Sequence, residues 1–234
     1  MKKIIISTGG TGGHVIPAQV LYEYLIDKNK VIIVSDKRGI NYLNKKRYKI
    51  TEIDVPKISK NLIWFIPSLI FFILSILKSF FFLNKKKADI LITTGGYMSI
   101  PTCLAAKILN LKIFLFEPNF VLGRANLFLL NYCDKILTYR KKIKNFPNEK
   151  QYKNYVIKPL IKKKIFLTKQ KCETKSKKFT ILIIGGSQGA RKFDNLFCRD
   201  LIKLSKKIEI KIYHQTSNKN INKLKQLYFL NKIN

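Results

Sequence analysis

The chain has 234 residues, 47% hydrophobic and 25% charged, enough apolar content for a core and too much for a disordered chain. Its 46 Lys plus Arg against 13 Asp plus Glu give a net charge of +33, which directs it toward anionic partners. The basic residues form no single stripe and carry neither aromatic-interleaved RNA motifs nor Cys/His finger spacing, so nucleic acid is set aside and anionic lipid headgroups are kept. The abundance of Lys, Asn, Ile and Phe also fits the codon usage of a low-GC genome, which would raise the charge without any binding role. Cys103, Cys133, Cys172 and Cys198 show no CxxC pairing and read as free thiols in a reducing cytosol. The apolar run after Lys3 stops at Ile6, so no signal peptide is expected and the N-terminus is expected in the cytosol.

In chain order, Lys3 to Ile6 predicts a strand, Gly9 to Gly13 a turn, Pro17 to Leu25 a helix and Val31 to Val34 a second strand. Together these make a βαβ unit. The pattern recurs with strand Ile90 to Ile92, loop Gly95-Gly96, a helix from Pro101 to Leu109 and strand Ile113 to Phe116. A third unit starts with Thr180 to Ile184 and the loop Gly185-Gly186-Ser187-Gln188-Gly189, continues in a helix to about Leu204, and ends in a strand from Glu209 to Tyr213. Short continuous apolar strands of this kind imply parallel sheets covered by helices on both faces. The polar, Lys-rich stretch 140–178 marks a boundary near Pro159, giving an N-terminal domain 1–158 and the start of a second domain, 159–234. About 55 residues after Phe179 suffice for one βαβ unit and not for a whole doubly wound sheet, so this second domain is expected to be incomplete.

Leu62 to Leu83 is nearly all apolar and long enough to span a bilayer. Lys78, Pro67 and its place between two strands of one sheet favour a helix that packs one face on the sheet and lays the other in the membrane surface. Spanning and ordinary burial remain as alternatives. Lys85-Lys86-Lys87 would then lie at anionic headgroups, each contributing about 1 kcal/mol, so residues 62–87 are the expected membrane contact.

The loops at strand C-termini carry the candidate chemistry. In Gly9-Gly10-Thr11-Gly12-Gly13-His14 the glycines admit close ligand approach and the following helix offers free N–H groups. The spacing is neither GxGxxG nor a Walker loop. His14 is one of two histidines, and an imidazole suits proton removal from a sugar hydroxyl, though a structural histidine is the alternative. Gly95-Gly96-Tyr97 repeats the geometry and suits an anion such as a diphosphate, or is a plain turn. Glu117-Pro118-Asn119 can offer hydrogen bonds to sugar hydroxyls, or form an ordinary turn. Ser187, Gln188 and Gly189 stand where nucleotide-sugar phosphates would bind. His214-Gln215-Thr216 ends the next strand and would face the same crevice, or cap it.

In order and approximate spacing, these five motifs resemble the MurG family of glycosyltransferases, over essentially the whole chain. The resemblance implies an α/β GT-B fold, with two Rossmann-like doubly wound domains facing a cleft. It implies inverting transfer of N-acetylglucosamine from UDP-N-acetylglucosamine to lipid I, a polyprenyl-diphosphate muramyl peptide, giving lipid II at the cytoplasmic face of the bacterial inner membrane. No metal and no cofactor are expected. Carried over, it puts Thr11, Gly12 and Gly13 near the donor sugar and acceptor diphosphate, makes His14 the base, and sets Asn119 on the sugar and Ser187 on the UDP diphosphate. Three departures stand out. Pro118 replaces the family's Gln between Glu117 and Asn119. Lys158-Pro159-Leu160-Ile161 lacks the family's phosphate-binding Arg unless Lys158 or Lys162 substitutes. The sequence stops at Asn234, before the family's uridine-recognising part. A related GT-B lipid glycosyltransferase and a non-catalytic, basic, membrane-binding remnant remain as alternatives.

Overall fold

The computed structural model describes residues 1–56, 58–59, 61–163, 165, 179–185 and 191–233. The chain divides into two compact units, Met1–Thr168 and Lys169–Asn234.

In the first unit the elements run β1 (Lys3–Ser7), α1 (Gly12–Leu25), β2 (Lys30–Ser35), α2 (Lys37–Ile40), β3 (Ile50–Glu52), α3 (Leu62–Lys86) and β4 (Ile90–Thr93). After β4 come α4 (Ser99–Ile108), β5 (Lys112–Glu117), α5 (Arg124–Leu129), β6 (Lys135–Thr138), a 3-10 helix (Asn148–Lys153) and β7 (Asn154–Val156). The strands form one sheet in the order β3-β2-β1-β4-β5-β6-β7, and all pairs are parallel. Ile5 is in register with Ile32 on one side and Leu91 on the other. Side chains alternate across a strand: Ile5 joins a cluster with Leu91, Ile113 and Leu115, while Ile4 and Ile6 join Val15, Ala18 and Ile33. Both faces are therefore buried, which is why these strands read as continuous apolar runs.

The chain winds outward from β1 to β3 and then returns to lay β4 against the other side of β1. This reversal is the topological switch point, and the crevice beyond the C-termini of β1 and β4 is where such sheets bind ligands. The two strand ends are tied together. Thr94 donates its backbone N–H to Ser7 O at 3.1 Å and its hydroxyl to Thr8 Oγ1 at 2.8 Å, so these two threonine hydroxyls pair with each other.

Two helices differ from expectation at their ends. α1 begins at Gly12 and carries Pro17 inside, rather than starting at the proline. Pro17 supplies no N–H to Gly13 O, one turn back, a loss tolerated near the helix start. α3 runs past Leu83 to Lys86 and ends where Lys87 turns left-handed at φ 50°, with Ala88 N–H donating to Leu83 O, a left-handed stop that satisfies the last carbonyls.

One side of α3 is buried through Phe72, Ser75, Ser79 and Leu83. Ser75 and Ser79 return their hydroxyls to the carbonyls of Phe72 and Ser75, leaving a low surface that admits α4 with its buried Cys103, Ala105 and Ala106. Away from that side Ile63, Trp64, Ile66, Ile70 and Phe71 are exposed. By length and composition α3 could cross a membrane.

The short strands β3, β6 and β7 escaped the sequence reading, and β7 lies in the stretch read as a linker. Leu160 packs against the first unit's core and Lys163 pairs with Asp27 at 2.6 Å, so the segment after Pro159 also lies on this unit. In the second unit β8 (Phe179–Ile183), α6 (Arg191–Leu196), α7 (Cys198–Ser205), β9 (Ile210–His214) and α8 (Ile221–Leu230) are described. β8 and β9 pair in parallel, Phe179 with Ile210 and Ile183 with His214, as the third strand-loop-helix unit predicts.

Candidate functional site

His14 stands in the first turn of α1, half-buried, at the switch point. Its Nδ1 lies 2.8 Å from Thr94 O. A carbonyl only accepts, so Nδ1 carries the proton and Nε2 is left with a free lone pair. Gly95 and Gly96 take φ of +87° and +86°, and a Cβ on either would come within 3.4 Å of the imidazole. Glycine is therefore required twice over at both positions, by backbone conformation and by the ring. The imidazole lines a cavity of about 470 Å³ together with Gly95, Gly96, Tyr97, Glu117 and Asn119, a size suited to a sugar-bearing ligand. Thr11 and Gly13 are exposed and Gly12 is buried. His14 and Val15 donate their N–H groups to Thr11 O, and Thr11 makes no side-chain cap, which leaves the N–H groups of Gly12 and Gly13 at the open end of the helix.

Glu117 is buried and its carboxylate is fully engaged. Oε1 accepts from the backbone and side-chain N–H groups of Asn119 at 3.1 and 2.8 Å. Oε2 accepts from Gly123 N–H at 2.8 Å and Asn126 Nδ2 at 3.0 Å. The expectation that Glu117 offers acceptors to a sugar meets a carboxylate whose oxygens bind its own loop; it shapes the wall on which Asn119 sits. Tyr97 connects the cavity to α3, its ring centroid 5.6 Å from that of Phe72, and burial pushes its phenol up from the ordinary value.

Three contributors went unnoticed in the sequence. Asn126 donates to Phe116 O and Glu117, while its Oδ1 is buried without a partner among the described residues and the residue lines the cavity. Arg124, also on the wall, is one of six arginines against forty lysines, and that scarcity was the available signal. Asp36 anchors the glycine loop from behind: its Oδ1 accepts from Gly10 N–H at 2.9 Å and Gly39 N–H at 2.8 Å. The strand-then-Asp-then-Gly spacing was its only trace.

In the second unit, Ser187, Gln188 and Gly189 lie outside the described residues. Gln215 is exposed and donates its backbone N–H to Ile183 O at 2.9 Å. His214 is enclosed among its own unit's residues, its side chain only 5% exposed. Nδ1 lies 2.7 Å from the Tyr228 hydroxyl and Nε2 3.3 Å from Asp194 Oδ1. Asp194 also accepts from Thr216 Oγ1 and Asn220 Nδ2, both at 2.7 Å. Burial pushes its carboxyl up, but the bonds from Asn220 and Thr216 and the neighbouring imidazole outweigh that and hold it below the usual carboxylate range. Burial likewise raises the Cys103 thiol to about 12 and the Cys133 thiol to about 11, so both stay protonated at neutral pH.

Residues 4–138 match the glycosyltransferase family 28 N-terminal domain and residues 180–234 its C-terminal domain. A Pelagibacter ubique protein named UDP-N-acetylglucosamine–N-acetylmuramyl-(pentapeptide) pyrophosphoryl-undecaprenol N-acetylglucosamine transferase is 48% identical over 97% of this chain and 64% of its own length. A Rickettsia typhi protein of the same name is 32% identical over 97% of this chain and 67% of its own. The chain thus spans about two thirds of the length of these relatives. Among solved structures, Acinetobacter baumannii MurG aligns with TM-score 0.74 at 23% identity, covering 98% of this chain and 65% of that one. MnaA from S. aureus with UDP aligns with TM-score 0.60 at 16% identity, covering 97% and 65%. The likeness to MurG bears out the α/β, GT-B class.

Proposed function

Since the chain belongs to glycosyltransferase family 28, represented by both of its domains, we propose that it serves the transfer of N-acetylglucosamine from UDP-N-acetylglucosamine to lipid I, giving lipid II. The observation that carries this reading is the free Nε2 of His14, aimed into a sugar-sized cavity by the Thr94 carbonyl. The acceptor's 4-hydroxyl would lie in that cavity. As its oxygen attacks the anomeric carbon of the donor, the O–H proton passes to Nε2, the new C–O bond forms, and the bond to the UDP oxygen breaks with its electrons leaving on the diphosphate. Attack opposite the leaving group inverts the anomeric centre. A positioned base of this kind contributes about 10²–10⁴-fold.

The remaining residues bind. The unpaired N–H groups at the start of α1, with Thr11, Gly12 and Gly13, suit the acceptor diphosphate. Gly95, Gly96 and Tyr97 close the floor, and Asn119 and the orphan Oδ1 of Asn126 suit sugar hydroxyls. On the donor side, Ser187, Gln188 and Gly189 would cradle the UDP diphosphate, with the chain's own amides and helix dipole in place of a metal. Gln215 would lie beside them. The exposed apolar side of α3 and Lys85, Lys86 and Lys87 would hold the enzyme on the cytoplasmic face of the membrane, where a lipid-linked acceptor is found. The division into two compact units, Met1–Thr168 and Lys169–Asn234, supports separate acceptor and donor halves.

The test is a transfer assay with radiolabelled UDP-N-acetylglucosamine, offering lipid I and diacylglycerol in parallel. Product is expected with lipid I only. Transfer to diacylglycerol would reassign the acceptor, and the absence of both product and calorimetric binding of UDP-N-acetylglucosamine would overturn the reading.

A further inference from the structure

One wall of the His14 cavity is built from Glu117, Asn119, Gly123 and the first residues of α5, Arg124 to Asn126. Two groups on it are unsatisfied. The buried Asn126 Oδ1 has no partner among the described residues. Arg124 is exposed, is the only Lys or Arg among the described residues lining the cavity, and pairs with no carboxylate among them. Glu117, seven residues earlier, is taken up by Asn119, Gly123 and Asn126. Other arginines have partners: Arg38 has Asp36, Arg47 has Glu23, and Arg140 lies 5.3 Å from the Phe120 ring centroid. Folding does not account for Arg124, because the helix dipole disfavours a cation at a helix start. In a chain so rich in lysine, an arginine here adds what lysine lacks, a planar fork that grips both oxygens of a carboxylate at once.

The anion belongs to whatever fills the cavity. A Cβ placed on Gly95 would lie 3.3 Å from Asn126 Nδ2 and 3.4 Å from His14 Cε1, so the imidazole and Asn126 flank one point and the α5 wall adjoins the reacting centre. In an N-acetylmuramyl acceptor whose 4-hydroxyl meets His14 Nε2, the neighbouring ring carbon, C3, carries the lactyl-linked peptide. The diphosphate hangs from C1, across the ring. With the open N–H groups of α1 suited to the diphosphate, the α5 wall is left for the peptide side of the sugar. The loop joining Asn119 to Arg124 carries Phe120 and Val121, 56% and 42% exposed. They form an apolar shelf that a peptide can cover and a diphosphate cannot.

We propose that Arg124 is a specificity-determining residue for the acceptor, its guanidinium holding a carboxylate of the acceptor's pentapeptide as the peptide leaves the cavity over Phe120. The inference rests on the reading of the His14 cavity as the acceptor site and names the part of the acceptor that α5 recognises.

The test is calorimetric titration of the whole chain with farnesyl-diphosphate-linked N-acetylmuramyl pentapeptide, and with the same compound after amidation of its peptide carboxylates. Arg124→Gln is compared with Lys45→Gln, which removes an exposed cation from the loop before β3, on the side of the sheet away from β5. Circular dichroism checks that both keep their fold. The unsubstituted chain should bind the amidated compound about tenfold more weakly, the scale of one hydrogen-bonded charge pair. Arg124→Gln should lose about tenfold for the charged compound and less than about twofold for the amidated one, and Lys45→Gln less than about twofold for either. Equal losses by Arg124→Gln for the two compounds would move the guanidinium to the diphosphate and overturn the assignment. An equal loss in Lys45→Gln would mean diffuse attraction and overturn it as well. An unsubstituted chain that binds neither compound would contradict the acceptor reading of the cavity itself, whereas one that binds both equally would overturn only the role of Arg124.

Discussion

His14 follows the parallel strand β1 of its unit and His214 is the last residue of the parallel strand β9 of its own, and the two are in opposite situations. The first gives one ring nitrogen to a backbone carbonyl and turns the other into a cavity. The second has Tyr228 on one nitrogen and Asp194 near the other, with a side chain that solvent barely reaches. Position after a strand is therefore not enough to make a histidine chemically available. What matters is whether the ring sits at a cavity with one nitrogen held by a main-chain acceptor, or is enclosed by side chains that keep solvent away.

The largest expected effect comes from the scaffold of the first site. Glu117→Gln would turn one carboxylate oxygen into an amide that meets donors, either Asn119 or Gly123 and Asn126, so chemical denaturation should show a loss of about 3 kcal/mol, the upper range for hydrogen bonds to a charged group. A loss under 1 kcal/mol would mean the loop has another support. Asp36→Ala should cost about 2 kcal/mol by leaving the half-buried N–H of Gly10 and the buried N–H of Gly39 unpaired, and it should weaken acceptor binding without touching His14. Unchanged acceptor affinity would remove Asp36 from the site's architecture. Gly96→Ala should cost about 1–2 kcal/mol from its left-handed backbone, with a transfer defect from the displaced imidazole; a neutral result would show that the ring can move away.

Acidification should act on the other histidine's surroundings. Asp194 has a folded-state pKa below its unfolded one. Its contribution to stability is therefore fully present above the ordinary carboxylate value, near 4, and is lost as pH falls through the depressed folded value. Asp194→Asn should flatten the acid limb of the stability profile, and an unchanged limb would contradict the assignment.

Much of this was written in the sequence, for identifiable reasons. Strands such as Lys3–Ser7 and Ile90–Thr93 are buried on both faces and so announce themselves as unbroken apolar runs. Glycines at Gly95 and Gly96 are forced by positive φ, and their place after a strand pointed to the site. β3 and β7 have three residues each, too few for any period to register. Asp36 and Asn126 act through main-chain N–H groups and carbonyls, whose positions only the folded chain reveals. The burial of His214 depends on Tyr228, fourteen residues away on another element, and no local pattern foretold it.

The most direct measurement compares transfer rates of His14→Ala and His214→Ala, each corrected for the fraction folded. The account predicts a loss of about 10²–10⁴-fold in kcat for His14→Ala and a change of no more than about threefold for His214→Ala, equivalent to roughly 0.7 kcal/mol. A His14→Ala protein that transfers at the unsubstituted rate would contradict the role given to its imidazole.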